Sequence, residues 1–262
     1  MTDERDIKKD LELGVGDYAH AGIRGGLSVA PWIGGPLAEF FSVIIALPLE
    51  KRRDEWLIEI FTRLKKLEEE VEGFKIENLA QNEVFISTLL YATQAAMRTH
   101  QDEKLIALSN AIINSAIKPS IDENLQLMFL NLVDRYTPWH LIILQFLDDP
   151  RRYGIEHIIT FPSWSSGGTA TVLEYAMPEL KGKRGFYDQI VKELFSNGLL
   201  NSETFLHTTM TEQGMFASRT TDMGMQLLNY IHFPQKRDIL KNDERKMDSN
   251  NYWGTSHTTT WI

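Results

Sequence analysis

The densest run of apolar positions lies at residues 25–49, GGLSVAPWIGGPLAEFFSVIIALPL, where Glu39 is the only charged side chain. A charged block, EKRRDE, follows at once at residues 50–55. A bilayer-spanning helix takes roughly 20 apolar residues, so the ribbon is nominally long enough. Pro31, Pro36 and Pro48 each remove a backbone donor and clash with the preceding turn, and Gly34 and Gly35 add a joint beside the middle one. The pattern therefore predicts an apolar helical hairpin: a helix over residues 17–30, a hinge at 32–36, and a second helix over 37–47, too short to cross alone. Its candidate membrane- or partner-binding residues are Trp32, Leu37, Glu39, Phe40, Phe41, Ile44 and Ile45, with Glu39 needing a partner wherever it is buried. Three covers are open to such a ribbon: the protein's own helices, a membrane, or a self-association surface.

From residue 50 the period becomes helical. Leu57, Leu64 and Val71 recur at one heptad position and Ile60, Leu67 and Phe74 at another, which predicts a long amphipathic helix over 50–74 with Gly73 as its stop. This seam serves either an intramolecular bundle or a short coiled coil between two copies. Further helices are predicted over 82–99, 103–117 and 121–135, the last opened by a Ser120–Glu123 capping box, and over 137–148, where Thr137-Pro138 starts a helix and Asp148-Asp149-Pro150 closes it. Residues 161–171, FPSWSSGGTAT, form the most loop-like interior stretch. A helix at 186–197 ends at Gly198. Threonine-rich segments at 204–211 and 215–221, joined by Glu212-Gln213-Gly214, suggest a β-hairpin, and Thr221 caps a final helix over 222–231. The expected fold is mainly α: a helical domain over 1–135 containing the hairpin, an α+β domain over 136–234, and a polar tail over 235–262.

Composition narrows the chemistry. At 262 residues, 43% hydrophobic and 24% charged, the chain can bury a substantial core. The formal net charge of -9 disfavours nonspecific binding to a phosphate backbone. Without cysteine there are no disulfides, thiolate ligands or thiol nucleophiles. The seven histidines include no HxxxH pair, and neither GxGxxG after a strand, GxxxxGK[ST] nor GxSxG occurs. The expectation is a non-enzymatic protein with no cofactor, metal or small-molecule substrate. The charged start, MTDERDIKKDLELG, is unlike a signal peptide, so a cytoplasmic location, peripheral at the inner membrane, is expected.

Two resemblances sharpen this. The stretch TPWHLIIL at 137–144, IVKELFSNGLL at 190–200 and RTTDMGMQLLNYI at 219–231 is similar in order to a winged helix-turn-helix domain. Such domains bind DNA through the helix before the wing, which here implies Lys183, Arg184, Lys192 and Arg219 as phosphate contacts; the basic footprint is thin, and protein interaction or a purely structural role is the favoured use. More widely, IGGPLAEFFSVIIALPLEKRRDEW followed by helices and a winged C-terminal region resembles bacterial abortive-infection proteins of the Abi-alpha type. That resemblance spans about residues 29–74 and 132–231. It implies a role in antiviral defence, with the ribbon as a membrane effector. The ribbon and the heptad seam by themselves leave a protein partner, a membrane or a homo-oligomer as the expected partners; a DNA-binding regulator is the alternative.

Overall fold

The computed structural model describes residues 51–117 and 121–232, and the account below concerns these; the apolar ribbon and the tail lie outside them. Helix α1 (Lys51–Glu70) buries Leu57, Ile60, Leu64 and Leu67, the predicted seam, with Val71 and Phe74 partly buried against the same core. Trp56 and Phe61 are buried too, so the apolar face is broader than the heptad stripe that a two-stranded coiled coil would use. Gly73 adopts φ +78°, a left-handed conformation that costs glycine little, where the helix stops.

A 3₁₀ turn (Ile76–Gln81) leads to α2 (Glu83–Met97), whose Asn82 cap accepts a hydrogen bond from the Phe85 N–H at 3.1 Å. Helix α3 (Asp102–Ile117) lies against α2, with the small side chains Ala92, Ala95 and Ala96 on one and Ala107 and Ala111 on the other all buried. Helix α4 (Glu123–Arg135) begins later than the Ser120–Glu123 pattern suggested. Its cap is Asp122, whose carboxylate accepts from the N–H groups of Asn124 and Leu125; a carboxylate also answers the positive end of the helix dipole, which a serine hydroxyl does not.

Helix α5 (Pro138–Asp148) starts at Thr137-Pro138 as predicted. Asp149 then closes α5 and opens a further helix, α6 (Pro150–Glu156), by accepting from the N–H groups of Arg151 and Arg152. Helix α7 (Thr169–Ala176) starts inside the stretch expected to be loop. Helix α8 (Arg184–Ser196) ends at Gly198, φ +73°.

The predicted β-hairpin over 204–221 is not formed. Residues 212–215 make a one-turn helix, α9 (Glu212–Met215), because Thr211 caps it, accepting from the Gly214 N–H at 3.4 Å. The two-residue strand β2 (Met210–Thr211) pairs instead, antiparallel, with β1 (Ser166–Gly167), Ser166 opposite Thr211 and Gly167 opposite Met210. Threonine favours extended backbone, but a strand also needs a neighbour, and the neighbour is far away in sequence. An isolated antiparallel bridge joins Leu200 to Thr220.

Helix α10 (Asp222–Ile231) is capped by Thr221 and packs on α3. The Asn110 side-chain amide donates to the Ile231 carbonyl at 2.8 Å, and that of Asn114 donates to the carbonyls of Tyr230 at 2.8 Å and His232 at 2.7 Å. The carbonyls that a helix end leaves without intrahelical partners are thus met by another helix. One buried cluster extends from Trp56 to Ile231.

Candidate functional site

Where α5 begins, its first turn meets the first turn of α3 and the start of α8. Trp139, Ile142 and Phe186 line an open groove of about 530 Å³, with His100, Asp102 and Glu103 on one rim. The Trp139 and Phe186 rings meet edge-on, centroids 6.4 Å apart and planes at 88°. Phe186 is 43% exposed, so a large aromatic face is kept wet beside two carboxylates. Such a groove suits an apolar or aromatic anchor carrying positive charge.

The groove is held from below. His140 is buried; its Nδ1 lies 2.9 Å from the Thr137 hydroxyl and accepts the Thr137 N–H at 3.3 Å. Its Nε2 therefore carries the proton and donates to Glu193 Oε2 at 3.0 Å, tying α5 to α8. Burial lowers the His140 pKa, outweighing the Glu193 hydrogen bond that raises it. Glu193 is held below the usual carboxylate range by the Gln189 and His140 hydrogen bonds. The Tyr136 ring stacks on His140 at 4.5 Å and 7°, and burial pushes its hydroxyl up to about 12. This histidine is a structural brace whose two nitrogens are both engaged.

The candidate phosphate contacts are only partly brought together. Lys183, Arg184 and Lys192 are exposed on the start and outer face of α8. Arg184 pairs with Asp188 at 3.3 Å, and the other oxygen of that carboxylate takes His207 Nε2 at 2.7 Å. Arg219 stands apart: its guanidinium donates to the Gly214 carbonyl at 2.7 Å and to Met210 Sδ at 3.2 Å, and lies over the Phe205 ring. It holds the 205–219 loop together. Nearby, Tyr187 donates to Glu174 at 2.8 Å; burial first, then that carboxylate, push its hydroxyl up.

A smaller cavity of about 160 Å³ opens between α5, α6 and α10, lined by Asp148, Arg152, Tyr153, Glu156 and His232 among others. Asp148 accepts from the Thr220 hydroxyl at 2.6 Å and Arg152 pairs with Glu156 at 3.0 Å, while burial lowers the His232 pKa. Among the described residues no group of three or more histidine and acidic side chains is placed to hold a metal ion, and no helix is long and apolar enough to cross a membrane.

Of the side chains singled out from the sequence, Trp32, Leu37, Glu39, Phe40, Phe41, Ile44 and Ile45 lie outside the described residues, and Leu57, Ile60, Leu64 and Leu67 are core. The Trp139–Phe186 groove was missed. Its one sequence signal is an aromatic residue directly after the polar run KGKRG at 181–185, which says nothing of a tryptophan 47 positions earlier in the chain. Comparison with protein-family models, with curated proteins and with solved structures finds no match to this chain.

Proposed function

We propose that the chain is a non-enzymatic interaction protein of the bacterial abortive-infection kind, in which a helical body presents the apolar ribbon at 25–49 to a membrane or a partner protein. The observation that carries this reading is the placement of the α1 seam. Leu57, Ile60, Leu64 and Leu67 all face the body's own helices, so the longest amphipathic stripe in the sequence is already covered and is not free to cover the ribbon that ends two residues before α1. An apolar ribbon that this seam does not cover needs another surface, and a membrane or a partner protein supplies one. The histidine and carboxylate pairs of the body each tie one element to another or cap one, which fits a scaffold.

In this reading residues 136–232 are a winged-helix-like unit that recruits a protein through the Trp139–Phe186 groove. Support comes from element order: α5, α6, β1, α7, α8, β2, α9 and α10, with the Leu200–Thr220 bridge after α8 in the place of wing strands. The test uses the full chain and vesicles of anionic lipid loaded with a fluorescent dye. Leakage is expected, altered by Glu39→Lys and by Gly35→Leu; its absence at every concentration, with both variants silent, removes the membrane arm and leaves the protein partner.

DNA regulation is the second reading, favoured by the exposed Lys183 at the cap of α8 and Arg184 and Lys192 on that helix, which precedes the bridge. Each phosphate contact adds about 0.9 to the slope of log affinity against log salt, so Lys183→Ala with Arg184→Ala should lower the slope by about 2. An unchanged slope, or no binding at low salt, ends it.

A further inference from the structure

The end of α6 is unlike any other part of the described surface. Ile158 is 95% exposed and Ile155 is 79% exposed, the two most exposed large apolar side chains among the described residues. Ile158 also has φ +57°, the only non-glycine residue there with a positive value. A β-branched side chain in the left-handed region crowds its own carbonyl, a conformation that glycine or asparagine adopts with less strain. Here a helix stop that needs a left-handed residue is filled by a wetted isoleucine instead of glycine, and no burial among the described residues accounts for that choice.

The corner beneath is closely packed. Tyr153 is buried, edge-on to Phe146 at 5.5 Å and stacked on His157 at 3.8 Å. A side chain at Gly154 would meet Phe161 at 2.4 Å, so the 159–161 segment is seated directly on α6. The Arg151 guanidinium is held over Phe216 at 4.2 Å and near Glu212 at 3.6 Å. The two isoleucines are therefore presented on a packed support, and a surface ordered before association loses less entropy on binding.

We propose that this corner is a homodimer interface, with a second copy of the chain as its occupant. Charge decides the partner. Ile155 is flanked on α6 by Arg152 and Glu156, opposite charges four residues apart and 3.0 Å from each other, and Ile158 follows two residues after the helix. A surface carrying an apolar patch with one cation and one anion beside it is self-complementary about a two-fold axis. Two α6 helices antiparallel across such an axis set isoleucine on isoleucine and exchange the pairs, Arg152 of each copy reaching Glu156 of the other. An anionic lipid surface would set Glu156 and Glu212 against like charge, whereas a second copy keeps every Arg and Glu paired. The patch is small, so the dimer is weak and concentration-dependent.

Sedimentation velocity on the full chain, over a range of concentrations, tests this. The wild type is expected to move from monomer toward dimer, and Ile158→Asp to remain monomeric with its unfolding midpoint no lower, since nothing buried is removed. Arg152→Glu and Glu156→Arg each place two like charges at the interface and should weaken self-association by at least about tenfold. Mixed together, these two variants should associate as well as the wild type, although neither contains the intramolecular pair. A wild type that is monomeric at every concentration overturns the proposal, as it would if the ribbon at 25–49 covered this corner. So does self-association indifferent to Ile158→Asp. Failure of the mixed variants to associate overturns the exchanged charge pairs.

Discussion

The ends of α8 and α6 close with the same pair of backbone bonds and reach opposite results. After α8, the Gly198 N–H meets the Phe195 carbonyl at 2.8 Å and the Leu199 N–H meets that of Leu194 at 3.0 Å. After α6, the Ile158 N–H meets the Ile155 carbonyl at 3.3 Å and the Ile159 N–H meets that of Gly154 at 2.8 Å. Both are Schellman motifs, and both need a left-handed residue. At the α8 end that residue is glycine, and the next, Leu199, is fully buried. Asn197 donates to the Glu193 carbonyl at 2.6 Å and accepts from Arg135 at 2.8 Å, so this end is braced from α4 as well. At the α6 end the residue is isoleucine and points into solvent. A helix stop that turns the chain into the core uses the residue with the least backbone strain; one that displays a side chain tolerates strain. Backbone hydrogen bonds alone do not say which kind a stop is.

The largest effect expected is on the buried side of the comparison. Leu199→Ala should cost about 3 kcal/mol in urea-unfolding stability, because a fully buried leucine loses both transfer free energy and packing, whereas Ile159→Ala, partly buried, should cost about 1 kcal/mol. Equal costs would mean that the two stops are equivalent. Next is Gly198→Ile, which transplants the α6 choice onto α8. A side chain there has room, Met223 Sδ being 3.8 Å away, so the expected loss of about 2 kcal/mol is conformational. A neutral outcome would show that the left-handed conformation costs this chain nothing, and the strain ascribed to Ile158 would go with it. The reverse change, Ile158→Gly, should stabilise the monomer by about 0.5 to 1 kcal/mol, the relief being partly offset by the greater freedom of glycine when unfolded.

The smallest effect is electrostatic. Burial depresses the folded-state pKa of His140 below its ordinary value of 6.5, so between the folded and unfolded values the unfolded chain binds more protons. His140 thus contributes stability that is present above about pH 6.5 and is lost as pH falls through the folded pKa. Protonation would also place a hydrogen on Nδ1, where the Thr137 N–H is now accepted, and weaken the brace behind the α8 end. Unfolding midpoints should therefore fall from pH 7.5 to pH 5, and His140→Gln should flatten that slope without abolishing it, since His232 is depressed in the same direction. A slope unaltered by the substitution would assign the whole effect elsewhere.

Local rules made much of this fold legible. The heptad spacing from Leu57 to Phe74, the Thr137-Pro138 and Thr221 helix starts, and the glycine stops at 73 and 198 act within a turn or two of themselves, and the structure has each of them. The same rules misled at 204–221, where strand propensity was visible but the partner strand, 44 positions earlier at Ser166, was not. They also passed over α6 and α7, too short for a hydrophobic period to show.

For the candidate site the sequence offered residue types without their placement. Lys192 was legible as a cation on the predicted helix, with Lys183 and Arg184 just before it, but nothing local could reveal that Arg219 turns inward to Gly214 and Phe205. The joining of Trp139 to Phe186, the closing of the end of α10 by Asn110 and Asn114, and the display of Ile155 and Ile158 were decided by tertiary structure alone. The reason is one of range. Periodicity, capping and turn chemistry are interactions between neighbours in the chain and so are written in its order, whereas which face is covered, and by what, depends on helices brought together from distant positions.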